Sequence, residues 1–210
     1  MEVLSVNVGM PKDIAAGGQV VRSGIFKYPV TGVVRVHTLN LDGDGQADLT
    51  VHGGRDKAVY VYPSEHYPFW RRELDMTLPD WGAFGENLTV EGMSEDTVHV
   101  GDQIAIGSAL LQVTQPRLPC FKLAAKFQRD DIVERFLASR RTGFYVRVLA
   151  EGSLQAGDAI TVAEQEPHHV SIREITDLYA NKHPDRAEIL RVLAVDALSA
   201  SWRKHFAKML

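Results

Sequence analysis

Gly101-Asp-Gln-Ile-Ala-Ile106 returns, slightly altered, as Gly157-Asp-Ala-Ile-Thr-Val162. Each segment sets a Gly-Asp turn in front of β-branched residues. Glycine gives the turn its backbone freedom, the aspartate carboxylate can bond the turn's own N–H groups, and Ile, Val and Thr suit a pleated surface. Val33-Val-Arg-Val-His-Thr-Leu39 points the same way by its period: Val34, Val36 and Thr38 alternate with Val33, Arg35, His37 and Leu39, the two-residue repeat of a strand. Short runs of this kind start with Val3 to Val8 and recur, broken by Gly, Asp and Pro, through the first 165 residues. Two similar turns do not make a repeat protein. They predict a β-rich domain over residues 1–165.

Helical patterns enter at two places. After Cys120, Ile132, Val133, Phe136 and Leu137 form an i, i+1, i+4, i+5 apolar stripe, and Asp131 with Glu134 has capping-box spacing, which predicts a helix. Phe144-Tyr-Val-Arg-Val-Leu149 then returns to strand character. Beyond the polar linker Glu164-Gln-Glu-Pro167 the period changes for good. Ser171 with Glu174 and Asp185 with Glu188 are spaced as helix N-termini, and Ser199 opens a third stretch through Trp202, Phe206 and Met209. Residues 168–210 are read as a small C-terminal three-helix subdomain, so the fold class is mainly β with α.

Composition narrows the function classes. The chain has 210 residues, 45% hydrophobic and 24% charged, an ordinary globular balance. A formal charge of −4 argues against stable nucleic-acid binding or an anionic membrane surface, both of which need a broad positive field. The three C-terminal helices are only weakly basic, which disfavours a helix-turn-helix reading. No apolar run spans a membrane, and Met1-Glu-Val-Leu-Ser lacks the pattern of an export signal. With a single cysteine, the expected compartment is the reducing cytoplasm.

That cysteine, Cys120, lies in Thr114-Gln-Pro-Arg-Leu-Pro-Cys-Phe-Lys122. Two prolines and flanking cations are a poor setting for a packed core thiol, although a free cysteine often simply packs. From Arg117 to Arg147 the balance turns basic: Lys122, Lys126, Arg129, Arg135, Arg140 and Arg141 lie between them. Some of these cover a solvated helix face and others could line an anion pocket. Upstream, His52-Gly-Gly-Arg-Asp-Lys57 combines glycines that permit close backbone approach with Arg55 and Lys57, which suit an anion. A polar hairpin is the alternative, and neither the phosphate-loop nor the dinucleotide fingerprint is present.

Phe84-Gly-Glu-Asn-Leu-Thr-Val90 places Glu86 and Asn87 in a turn, where they either cap it or bond a heterocycle. Asp42-Gly-Asp-Gly-Gln-Ala-Asp48 has the alternating carboxylates of a calcium loop but not its later ligands, so Asp42 and Asp44 are read as turn residues. No histidine has zinc-site spacing. A Cys120–His52 nucleophilic pair stays open as a third chemistry.

Taken in order, the run Asp44 to Tyr60, Gly82-Ala-Phe-Gly-Glu-Asn-Leu-Thr89, Val100-Gly-Asp102 and Gln115-Pro-Arg-Leu-Pro-Cys120 resemble the MOSC family, named for the C-terminal domain of molybdenum cofactor sulfurase. The three-helix tail looks like that of its YiiM-like bacterial subgroup, associated with hydroxylaminopurine resistance. The resemblance implies a β-barrel-like core that binds molybdenum cofactor (Mo-molybdopterin), with Cys120 as the molybdenum ligand. Arg55, Lys57, Arg117 and Arg147 are candidates for its phosphate, and Glu86 or Asn87 for its pterin or the substrate. His52 is a candidate proton relay.

The reaction implied is reduction of an N-hydroxylated base or related compound, N–OH to N–H with loss of water. The electron donor would be an external flavin-containing reductase, because no flavin or nicotinamide motif is recognisable. A carrier that delivers cofactor or sulfur through Cys120 without turnover is the alternative. The C-terminal helices could form a homodimer contact or cover one end of the core.

Overall fold

The computed structural model describes residues 1–47 and 53–210, so His52 lies outside the described residues. Among the described residues the strands are β1 Glu2–Val8, β2 Lys12–Ala16, β3 Gln19–Ser23, β4 Tyr28–Val30, β5 Val34–Val36, β6 Val59–Pro63, β7 Leu88–Glu91, β8 Gln103–Ile106, β9 Ala109–Pro116, β10 Phe144–Ala150, β11 Gly152–Leu154 and β12 Ile160–Glu164. The α-helices are α1 Tyr67–Leu74, α2 Phe121–Phe127, α3 Ile132–Ser139, α4 Ile172–Ala180, α5 Arg186–Leu193 and α6 Ala200–Ala207.

Eight strands form one mixed sheet in the order β12-β8-β9-β10-β6-β7-β1-β4, antiparallel except where β6 lies beside β7. The two similar Gly-Asp segments are neighbours in it: β8 pairs with β12, with Ile106 opposite Ile160 and Ile104 opposite Val162. Gly101 and Gly157, which open these turns, have φ of 104° and 90°, a region that only glycine enters readily. Hydrogen bonds from Val3 N to Asp158 O (3.0 Å) and from Ile160 N to Met1 O (2.9 Å) join the start of β1 to the start of β12. The sheet therefore curls until strands far apart in its order meet. The Val33–Leu39 pattern yields a shorter strand than its period suggests, β5, in which Val34 and Val36 are buried on either side of exposed Arg35.

Strand β6 is buried along its whole length, and its two faces feed two cores. Val59 and Val61 join the aliphatic interior of the curled sheet. Tyr60 and Tyr62 point the other way, into an aromatic cluster with Trp70, Phe84, Phe127 and Phe136 that α1, α2 and α3 help to build. A strand covered on both sides reads as a continuous apolar run rather than an alternating one. The C-terminal helices add Ile172, Ile175, Val192, Trp202 and Phe206 to the aliphatic core itself.

The caps follow local chemistry. Ser171 and Glu174 form the expected box, Glu174 N donating to Ser171 Oγ (3.1 Å) and Ser171 N to Glu174 Oε2 (2.8 Å). Asp185 caps α5 through Ala187 N instead of a box. Asp131 departs from expectation: it occupies the N-cap of α3 but its side chain caps no backbone N–H, because the Arg129 and Arg135 guanidiniums take its carboxylate at 2.9 and 2.6 Å. Charge-assisted bonds outcompete neutral N–H donors. No helix among the described residues is long and apolar enough to cross a membrane.

Candidate functional site

Strand β9 ends at Pro116, and the chain leaves the sheet as Arg117-Leu-Pro-Cys120 before α2 begins. Pro119 holds its predecessor extended. Cys120 occupies the N-cap of α2 with extended backbone, φ −138° and ψ 176°, and its carbonyl accepts from Leu123 N at 2.8 Å. The thiol is partly exposed and opens into a cleft that Lys27, Asp44, Lys57, Asn87, Arg117, Lys122 and Tyr145 also line. One wall forms where two loops nearly touch: a side chain at Gly24 would come within 2.7 Å of Gly45 O.

Arg117 is the central charge. It is 5% exposed, and its guanidinium lies 5.2 Å from the Tyr60 ring centre and 5.1 Å from that of Phe136. Burial alone would disfavour the cation, but Tyr60, Tyr145 and Cys120 around it outweigh that and the pKa moves up. Its Nη1 is buried with no hydrogen-bond partner, a donor that the fold leaves for something else. Burial raises the pKa of Tyr60 and Tyr145 despite Arg117, so both remain phenols.

Lys27 and Asp44 face each other as a buried ion pair, their side chains 8% and 3% exposed. Burial lowers the Lys27 pKa although Asp44 opposes it. Asp44 also accepts from Gly9 N (3.0 Å) and Asn87 Nδ2 (2.9 Å). Asp44 is therefore more than the turn residue expected of it: it is a cleft carboxylate, satisfied from three directions. Lys126 stands close by, donating to Ile25 O (3.0 Å) and Gly82 O (2.6 Å), and burial pushes its pKa down to about 8.

The structure brings together four of the expected site residues, Cys120, Lys57, Asn87 and Arg117. Asn87 reaches the cleft with both ends of its amide engaged, accepting from Tyr60 N (3.0 Å) and donating to Asp44. Glu86 does not line the cleft. It is fully buried and accepts from Gly82 N (2.8 Å), Phe84 N (3.0 Å), Thr89 Oγ1 (3.1 Å) and the Tyr67 hydroxyl, which makes it the knot of the 82–89 turn. Arg55 is exposed and faces a different depression. Arg147 is bound to Asp56 Oδ1 (3.0 Å) and Ala197 O (2.6 Å), at the seam with the C-terminal helices.

Lys27, Tyr60 and Tyr145 also line the cleft, and no sequence signal marks them as site residues. Lys27 sits in no motif, and the tyrosines read as ordinary strand residues. The cleft thus gathers Lys27, Lys57, Arg117 and Lys122 around one carboxylate in a chain of charge −4, a local concentration of positive charge beside a soft sulfur donor. No cluster of three or more His, Cys, Asp or Glu side chains suited to a metal exists among the described residues.

Comparison with known proteins places the chain in a family. Residues 48–161 match the MOSC domain, and residues 170–210 match the YiiM-like 3-alpha helix domain. Uncharacterized protein YflK of Bacillus subtilis is 42% identical over 98% of this chain and 93% of its own length. A protein of Gibberella moniliformis named "Reductase" is 38% identical over 78% of this chain, which corresponds to 29% of that longer protein. The crystal structure of YiiM from Geobacillus stearothermophilus superposes with a TM-score of 0.83 at 37% identity, covering 99% of this chain and 97% of that one. The chain belongs to the MOSC family, in the form that carries a YiiM-like three-helix domain at its C-terminal side.

Proposed function

We propose that the protein binds molybdenum cofactor through Cys120 and reduces N-hydroxylated bases or related N-hydroxylated compounds, with electrons from an external flavin-containing reductase in the cytoplasm. One observation carries this reading. A partly exposed thiol shares a cleft with a buried guanidinium whose Nη1 has no partner.

The donor set fits the cofactor. Cys120 Sγ is a soft ligand for a thiophilic metal that brings its own sulfur ligands, and Arg117, Lys57, Lys122 and Lys27 suit the pterin phosphate. When bound, the cofactor supplies two-electron exchange and an acceptor for oxygen. The overall change is R–NHOH plus two electrons and two protons giving R–NH2 and water. The protein's own contribution is orientation. Tyr60 is held by donating to Thr142 O (2.7 Å), Tyr145 stays protonated and able to donate, and Asn87 and Asp44 hold Lys27 in place. His52 is proposed as the proton relay. The fungal relative named as a reductase supports reduction as the reaction class.

The test is molybdenum and pterin content of wild type and Cys120→Ala, purified without oxygen from a host rich in the cofactor. Near-stoichiometric metal in wild type and its loss in the variant are expected. Multiple turnover of an N-hydroxylated base with a flavin reductase completes the result. Stoichiometric transfer of cofactor or sulfur without turnover would instead identify a carrier, and protein that stays empty in a host that loads other molybdenum enzymes would end the cofactor reading.

A further inference from the structure

Gln115 lies one residue before the end of β9. It is 3% exposed, yet its Oε1 is buried without a hydrogen-bond partner. Buried amide oxygens are nearly always met by a partner, and the expected place for one is the depression that Gln115 lines together with the Gly54–Lys57 turn and the start of α6. This depression is the one Arg55 faces.

Its chemistry favours an anion. Helix α6 spans eight residues, its first turn contains no acidic side chain, and its N-cap Ser199 makes no side-chain bond to the helix. The Ser199 hydroxyl lies instead 3.1 Å from that of Ser201. The helix's positive end and its leading N–H groups are therefore not matched by a cap. Arg55 is exposed at the rim and carries no ion pair among the described residues. Asp56, the carboxylate in the wall, is matched by Arg147 Nη2 at 3.0 Å.

We propose that this depression is a second oxyanion site, for a phosphate monoester or inorganic phosphate. The α6 N-terminus and Arg55 receive the charged oxygens. Gln115 Oε1 accepts from a protonated phosphate oxygen or a hydroxyl on the ligand, a demand that a fully deprotonated anion such as sulfate does not meet. Lys57 lines both this depression and the Cys120 cleft, so the two sites share a wall. The proposal does not depend on the cofactor, because every group it uses belongs to the chain.

Calorimetric titration of the full-length protein with inorganic phosphate, at fixed ionic strength, tests it in wild type, Arg55→Gln, Gln115→Leu, Lys122→Met and Cys120→Ala. Saturable binding in the low-millimolar range or tighter is expected. Arg55→Gln and Gln115→Leu each weaken this binding step by about tenfold, while Lys122→Met alters only a separate step contributed by the Cys120 cleft and Cys120→Ala leaves this one in place. Arg55 is exposed, so its replacement tests the site even where Gln115→Leu fails to fold. Sulfate binds more weakly than phosphate. Adenosine 5′-monophosphate binding more tightly than phosphate assigns a nucleotide as occupant, and equal affinity assigns free phosphate. Loss of binding in Lys122→Met with retention in Arg55→Gln would overturn the proposal by placing phosphate in the Cys120 cleft, and so would the lack of saturable binding in wild type.

Discussion

Lys126 shows how a residue can be legible as a charge and illegible as a site. Its place in a basic stretch is plain from sequence; its burial against Ile25 O and Gly82 O is not, because neither carbonyl is near it in the chain. Burial lowers its pKa from 10.5 to about 8, with Glu86 opposing and Arg117 and Lys27 assisting. The direction of the resulting pH effect is fixed by linkage. Below pH 8 the folded and unfolded chains both hold the proton, and folding bears the whole cost of the buried charge. Between about pH 8 and 10.5 the folded state loses its proton first, the unfolded state binds more protons, and stability rises with pH by up to about 1.4 kcal/mol per unit. The neutral amine keeps two N–H donors for its two carbonyls, so the contacts survive titration. Urea denaturation of wild type and Lys126→Met across this window tests it: the difference in unfolding free energy shifts in favour of wild type as pH rises, and a flat difference would refute the buried charge. Cys120, by contrast, announced itself through its prolines and cations, while Lys27 reaches the cleft through pairings that no local pattern reveals.

At the scale of elements, local signals gave the pieces more readily than their arrangement. The Ser171–Glu174 spacing marks α4, and the box is realised in full. Ser171→Ala removes the acceptor for Glu174 N and is expected to cost about 1 kcal/mol, read as a lowered thermal midpoint; Ser199→Ala, where no side-chain cap bond exists, should lose less. A larger loss at Ser199 would contradict the cap geometry. Asp131 carries the same spacing and fails to cap because Arg129, two residues upstream, competes for it. Spacing alone misses such competition. Period two located β5, but that β6 runs parallel to β7 and antiparallel to β10 follows from long-range packing of Val59 and Val61 on one face and Tyr60 and Tyr62 on the other. The sequence of β6, apolar and aromatic without alternation, is compatible with burial and silent about neighbours.

For the molecule as a whole, the question is whether residues 168–210 are an appendage or part of the core. The change of period after Pro167 suggests separation, yet the packing runs across it. Ile172, Ile175, Trp202 and Phe206 share one apolar cluster with Val98, Val100 and Leu111, and the backbone is stitched there too: Val100 N donates to Val170 O at 2.9 Å, Ile172 N to Val98 O at 3.0 Å and Arg173 N to Glu95 O at 2.9 Å. Glu95 in turn accepts from Gly143 N (2.7 Å) and contacts His66 Nε2, so the seam reaches toward the turn that opens β10. Cutting the chain before Pro167 would strip this cover, expose the aliphatic cluster to water at roughly 25 cal/mol per Å² of apolar surface, and leave the 95–100 backbone groups without partners. Since a domain's net stability is only about 5–15 kcal/mol, the truncated chain is expected to be insoluble or to melt without a cooperative transition. Soluble expression and a circular dichroism melt decide the matter. A soluble fragment with a sharp transition would mean that the helices only cover a core already complete without them.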